Sequence, residues 1–116
     1  MQIPNEAVLL RIFIGENGRF EGHPLFEAIV MKARELGLAG ATVLRGPMGF
    51  GQSSHLHSAK VLRLSDDLPI VIELVDSRDK IDQFASAIGP MIGSGLITLE
   101  NVQVLRYGNS GGSALP

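Results

Sequence analysis

Apolar and polar positions alternate from Ala7 to Ile14: Val8, Leu10, Ile12 and Ile14 share one side, and Leu9, Arg11 and Phe13 the other. A period of two marks a strand, here with one fully apolar face and one mixed face. Gly15 to Gly22 holds three glycines and reads as a loop. A helix then starts at Pro24, a residue suited to the first helical position. Its stripe is Leu25, Ile29, Ala33 and Leu36, and Gly37 supplies a left-handed stop. Ala41 to Arg45 forms a second strand that ends in a Gly46-Pro47 turn. From Gly46 to Leu68 the periodicity weakens into a long excursion, with extended character in Ala59 to Leu64 and a polar close at Asp66-Asp67. Pro69 to Val75, rich in Ile and Val, is the clearest strand of the chain. Asp76 is placed to cap a second helix, whose stripe is Ile81, Phe84, Ala85, Ile88 and Ile92 and which Pro90 should end or kink. Gly93-Ser94-Gly95 turns into a last strand, Leu96 to Tyr107, with a bulge expected at Glu100-Asn101. Residues 1–108 therefore form one domain, and Asn109 to Pro116, with almost nothing to bury, reads as a disordered tail.

The order β-α-β-β-α-β belongs to the α+β class. It predicts a ferredoxin-like sandwich, a four-stranded antiparallel sheet with two helices on one face. Alternation leaves Leu9, Phe13, Val71 and Val75 on the face the helices do not cover. A monomer would keep that apolar surface wet, so oligomerisation is expected.

Composition narrows the function classes. A net charge of −2, with Lys and Arg scattered, gives no bulk field to favour nucleic acid or an anionic membrane. The absence of cysteine excludes disulfides, thiolate metal sites and cysteine nucleophiles. No basic region precedes the first apolar run, and no apolar stretch approaches the ~18 residues of a membrane span, so a cytoplasmic location is expected.

Candidate chemistry gathers after the second strand. Gly46, Gly49 and Gly51 form a glycine-rich turn, and such a turn leaves backbone N–H groups open to cradle an anion such as phosphate. It is neither a P-loop nor a dinucleotide fingerprint, and glycines in a hairpin loop usually only make turns. His55 and His57 flank Leu56 and are the candidates for a metal site, but two ligands fall short of the three or four that zinc takes. No metal site is assigned. Ser53, Ser54 and His55 with Asp66 or Asp67 do not make a triad by adjacency alone. The carboxylates Glu73 and Asp76 come with no implied pocket for acid–base work. Arg11, Arg45 and Arg106 sit in or at the ends of predicted strands. Each could pair with a phosphate in a bidentate manner or make a rim salt bridge with a nearby Glu.

Gly37, Gly40, Thr42 and Val43, followed by Gly49-Phe50-Gly51-Gln52, resemble the signature of the PII nitrogen-regulatory proteins, where strand two leads into the signalling T-loop. The span from Ala7 to Gly108 is still more similar to a little-characterised family of PII-like proteins. The stretches that carry this likeness are Leu10 to Glu16, Gly37 to Gly46, Met48 to Gly51, Asp67 to Glu73 and Leu96 to Glu100.

The resemblance implies a homotrimer with adenine nucleotide held in clefts between subunits. Thr42 would lie beside the base, with Gly49, Gly51 and Gln52 at the phosphate end. Gly93 and Gly95 would line the cleft, and Arg106 would contact phosphate. Leu96 stands where PII proteins carry a basic residue, and one arginine of their carboxy-terminal pair is recognisable, so AMP or ADP is expected over ATP. The only tyrosine is Tyr107, outside the loop, which rules out tyrosine modification of the PII type. The resulting expectation is a non-enzymatic sensor. Phosphate on the Gly49 and Gly51 N–H groups would pin a loop at about 46–68 in an order–disorder switch towards a protein partner, such as a transporter or a channel. A metal-binding or purely structural trimer with no nucleotide site is the alternative.

Overall fold

The computed structural model describes residues 5–51, 57–58 and 67–108. The tail at 109–116, the extended character expected at 59–64, and Gln52 and His55 lie outside the described residues.

Elements follow the order β1 (Glu6–Gly15), β2 (Arg19–Phe20), β3 (His23–Pro24), α1 (Leu25–Glu35), β4 (Thr42–Arg45), β5 (Met48–Gly49), β6 (His57–Ser58), β7 (Pro69–Asp76), α2 (Arg78–Ile88), a 3-10 turn (Gly89–Met91) and β8 (Leu96–Gln103). The main sheet is four-stranded in the order β4-β7-β1-β8, and every neighbouring pair is antiparallel. This is the ferredoxin-like βαββαβ arrangement. Val8, Leu10, Ile12 and Ile14 of β1 and Ile70, Ile72 and Leu74 of β7 meet Leu25, Ile29 and Ala33 of α1 and Ile81, Phe84 and Ile88 of α2 in one core. The period-two and helical stripes of the sequence are therefore the two sides of the same interface.

Several local expectations change. The loop at 15–22 contains half of a small hairpin: β2 and β3 pair Arg19 with Pro24 and Phe20 with His23. Glu21 (φ 49°) and Gly22 (φ 82°) turn it with two positive φ angles, the two-residue arrangement that matches strand twist. Pro24 consequently ends β3 in an extended conformation (φ −55°, ψ 131°) and occupies the N-cap of α1, not its first helical residue. At the other end Gly37 (φ 76°) donates to the Arg34 carbonyl and Leu38 to that of Ala33, a left-handed stop with Leu38 turned into the core. Gly37→Ala should therefore lose about 1 kcal/mol in a urea titration, the cost of a Cβ in the left-handed region. An unchanged midpoint would mean that the backbone can leave this conformation freely.

Asp76 is not the cap of α2. It is the last residue of β7, and Ser77 takes the cap, its hydroxyl accepting from Lys80 N at 3.3 Å. The helix stops at Ile88, where Gly89-Pro90-Met91 tightens into the 3-10 turn, so Ile92 packs on the core from beyond the helix. The expected bulge at Glu100-Asn101 is absent. Pairing between β1 and β8 runs without slip from Glu6–Gln103 to Phe13–Leu96, because both residues face one residue each on β1. The strand also ends at Gln103, not Tyr107, and the chain leaves it with Val104 N donating to Asn5 O at 2.6 Å.

The face away from the helices carries Leu9, Phe13, Val71 and Val75 as expected. Leu44 of β4 and Leu96 of β8 extend it at 49% and 57% exposure. It is not uniformly apolar. Arg11 crosses its centre, donating from Nε to Glu73 at 2.7 Å on one neighbouring strand and from Nη1 to Glu100 at 3.2 Å on the other.

Candidate functional site

The turn after β4 is the first place to look for an anion cradle, and it is closed at one of its three glycines. Gly46 N donates to Pro69 O at 2.8 Å, so this N–H is not open. A Cβ on Gly46 would lie 2.8 Å from the Pro69 ring, and one on Gly49 would lie 3.0 Å from it. A side chain at Gly46 would force this turn away from β7, and one at Gly49 would crowd the same ring. Gly49 also pairs with His57 across the β5–β6 ladder, while Gly51 is exposed. Gly46 and Gly49 thus have a packing reason to be glycine, the ordinary reading of glycines in such a loop.

A cleft opens at the other end of β4. It has a volume of about 400 Å³ and lies on the helix-free side of the sheet. One wall is the loop from Ala39 to Ala41 with Thr42, the first residue of β4. Thr42 faces Glu73 across the β4–β7 ladder, and Glu73, Val75 and Leu9 line the cleft beneath it. The third side is Val104, Arg106 and Tyr107, the segment that crosses the end of the sheet after β8.

Two side chains hold these walls together. Asp76, 2% exposed, accepts from Ala39 N through Oδ2 at 2.8 Å and from Ser77 N through Oδ1 at 2.7 Å. The Tyr107 hydroxyl donates to the Ala39 carbonyl at 2.9 Å. Ala39 is therefore held through both its N–H and its C=O, and the carboxy-terminal segment is tied to the loop opposite. Neither role was visible in the sequence. Asp76 looked like a helix cap, and Tyr107 carried no pattern that pointed to a loop nearly seventy residues earlier.

The expected site residues divide into groups. Thr42 and Arg106, far apart in the chain, line the same cleft. Gly49 and Gly51 lie beyond the opposite end of β4, and Gln52 is outside the described residues. Gly93 and Gly95 are exposed in the turn before β8, on the far edge of the sheet. Three strand spacings, about 14 Å, separate that edge from β4. Gly95 is packed close, since a Cβ there would lie 3.0 Å from the Phe13 carbonyl. Within one chain these groups do not converge.

The arginines sort in the same way. Arg11 and Arg45 make the salt-bridge choice, Arg11 with Glu73 and Glu100, and Arg45 with Glu16. The hydrogen bond that Arg11 donates to Glu73, the largest contribution, raises the Arg11 pKa above its ordinary value, with the charges of both glutamates acting in the same direction. Arg106 is exposed and makes no ion pair among the described residues. Glu73, read from the sequence as a carboxylate without a pocket, is the acidic group of the cleft. Among the described residues no group of three or more His, Asp or Glu is arranged to hold a metal, and no helix is long and apolar enough to cross a membrane. His55 is outside those residues, and of His57 only the backbone pairing with Gly49 is described.

The chain is 41% identical over 97 residues to a UPF0166 protein of Aquifex aeolicus, covering 84% of this chain and 91% of that one. It is 30% identical over 102 residues to a UPF0166 protein of Methanocaldococcus jannaschii, covering 87% and 94%. Among solved structures its fold is similar to CPII, a nitrogen regulatory PII-like protein from Thiomonas intermedia K12, bound to ADP, AMP and bicarbonate. That likeness has a TM-score of 0.67 at 17% identity, over 87% of this chain and 90% of the other. Residues 7–104, from the first strand to the segment that closes the cleft, match the DUF190 family (uncharacterized ACR, COG1993), and the chain belongs to that family.

Proposed function

We propose that this protein is a non-enzymatic sensor of adenine nucleotides, a homotrimer whose ligand sits between neighbouring copies. The observation that carries this reading is the meeting of Thr42 and Arg106 in one cleft on the sheet face that the helices leave uncovered. A protein of similar fold is known with ADP, AMP and bicarbonate bound, which supports adenine nucleotide as the class of ligand. The exposed apolar side chains of the helix-free face, Phe13, Leu44 and Leu96, are the surface that trimer formation would cover. Assembly would also bring the Gly93–Gly95 turn of one copy to the cleft of the next, which a single chain cannot do.

The polar groups of the cleft are suited to recognition. Thr42 offers a hydroxyl, Arg106 a cation and Glu73 an acceptor already held by Arg11. A short supply of cations, with Leu96 at the start of β8, favours AMP or ADP over ATP. Phosphate reaching the base of the loop at about 46–68 would fix its conformation and so change the surface offered to a protein partner, whether a transporter, a channel or another protein.

Calorimetric titration with AMP, ADP and ATP, on protein whose mass has been fixed by light scattering, tests the reading. The expected result is a trimer that takes one nucleotide per subunit with micromolar affinity, ATP being the weakest of the three. A trimer that evolves no binding heat with any of them would overturn the sensor and leave a purely structural assembly.

A further inference from the structure

We infer that Glu73 is a specificity-determining residue of the cleft. It accepts hydrogen bonds from a donor group on the ligand, and Arg11 is the positioning residue that aims it. This rests on the adenine-nucleotide reading above and adds to it which end of the ligand is read and by what.

The cleft is bipolar. Arg106, from the segment after β8, and Glu73, from β7, both line it, and they make no ion pair with each other. A carboxylate repels phosphate, so an anionic ligand can occupy this space only with its phosphate directed away from Glu73. The group that lies over Glu73 must then be neutral, and it gains most if it donates hydrogen bonds. An ionised carboxylate is acceptor-only, with two oxygens and about four lone-pair sites. Arg11 Nε uses Oε2 at 2.7 Å, which leaves the other oxygen for a ligand.

The aim of this carboxylate is set by the sheet. Glu73 and Arg11 are directly paired across β7 and β1, and Glu73 and Thr42 across β7 and β4, all on the helix-free face. Arg11 also donates to Glu100 on the far side at 3.2 Å, so one guanidinium is shared between two carboxylates and leaves the group net negative. Thr42 and Glu73 thus present a hydroxyl and a carboxylate side by side. Two donors of a nucleoside fit this pair: the ribose hydroxyls and the exocyclic amine of the base. The chemistry required is the same, an O–H or N–H donor meeting a charged acceptor.

The test uses the full chain in its native assembly and compares wild type with Glu73→Gln. The probes are AMP, 2′,3′-dideoxy-AMP, which lacks the ribose hydroxyls, and IMP, which lacks the amine. Inorganic pyrophosphate, an anion with no nucleoside donor, is the control. Wild type should bind AMP about tenfold or more tightly than one of the two analogues, the value of a hydrogen bond to a charged acceptor. The analogue that loses affinity identifies the donor. In Glu73→Gln that discrimination should shrink several-fold while pyrophosphate binds at least as well, because a repelling charge is gone. A merely structural lesion would weaken all four probes together, and that result would overturn the assignment. So would AMP discrimination unchanged by the substitution, with nucleotide still bound. Wild type that binds no adenine nucleotide at all would instead remove the sensor reading on which this one stands.

Discussion

Asp76→Ala should destabilise the protein by about 3 kcal/mol, and the loss should be felt at the cleft as well as in the core. Asp76 is 2% exposed and holds two backbone donors from different elements, Ala39 N and Ser77 N. A methyl group accepts neither. Each donor left without a partner costs roughly 1–3 kcal/mol, offset in part because the buried carboxylate no longer has to be desolvated. In a chain of this size a kilocalorie moves the melting point by about 4 °C, so a fall on the order of 10 °C is expected in thermal unfolding followed by circular dichroism. Asp76→Asn keeps one acceptor oxygen and should recover about half of that loss. A melting curve for Asp76→Ala that overlays the wild type would show that water satisfies both donors and that the carboxylate pins nothing. The second consequence is local. Ala39 then keeps only the Tyr107 hydroxyl on its carbonyl, so hydrogen exchange around 39–42 should accelerate beyond what the global loss of stability explains.

The sequence was most legible where a single period governed many residues. The alternation of β1 and β7 and the stripes of α1 and α2 are all consequences of burying one face, and burial dominates the energetics of those segments. It was least legible where one or two polar atoms decide the outcome. Asp76 and Ser77 are both good cap residues standing side by side, and propensity cannot choose between them. The choice is made by Ala39, whose N–H arrives from the end of α1 and claims the carboxylate. The expected bulge failed for a related reason. Glu100 looked out of place in a strand, but Arg11 on the neighbouring strand gives it a partner without any change of register.

The candidate site shows the same division. Thr42 and Arg106 were named because the chain resembles the PII proteins, and in the structure both line one cleft. The glycine turn looked like the strongest local signal, and the contact with Pro69 gives two of its glycines, Gly46 and Gly49, a packing reason of their own. Glu73 carried no signal in one dimension, since a lone acid in an apolar strand reads as a surface residue. Its position becomes informative only when β4 and β1 are laid on either side of it, placing Thr42 and Arg11 at its flanks.

Arg106→Ala should weaken binding of ADP by about 10–100-fold and leave the melting point of the free protein unchanged. The two halves of this expectation have one cause. Arg106 is exposed and has no ion-pair partner among the described residues, so its removal strands no buried group and creates no cavity. What is lost is a guanidinium at the edge of the cleft, and charge-assisted hydrogen bonds from such a group to a phosphate would be worth roughly 1.5–3 kcal/mol. Arg106→Lys keeps the charge but not the planar fork, and should recover part of the affinity and little of the geometry. Salt separates the contributions further. The wild-type affinity should fall as ionic strength rises, because an exposed cation is screened, and the alanine variant should respond less. Equal affinities for wild type and Arg106→Ala at low salt would place the phosphate elsewhere. The phosphate would then fall to the β8 turn at Gly93–Gly95 of a neighbouring copy, with Thr42 and Glu73 retained as the nucleoside end.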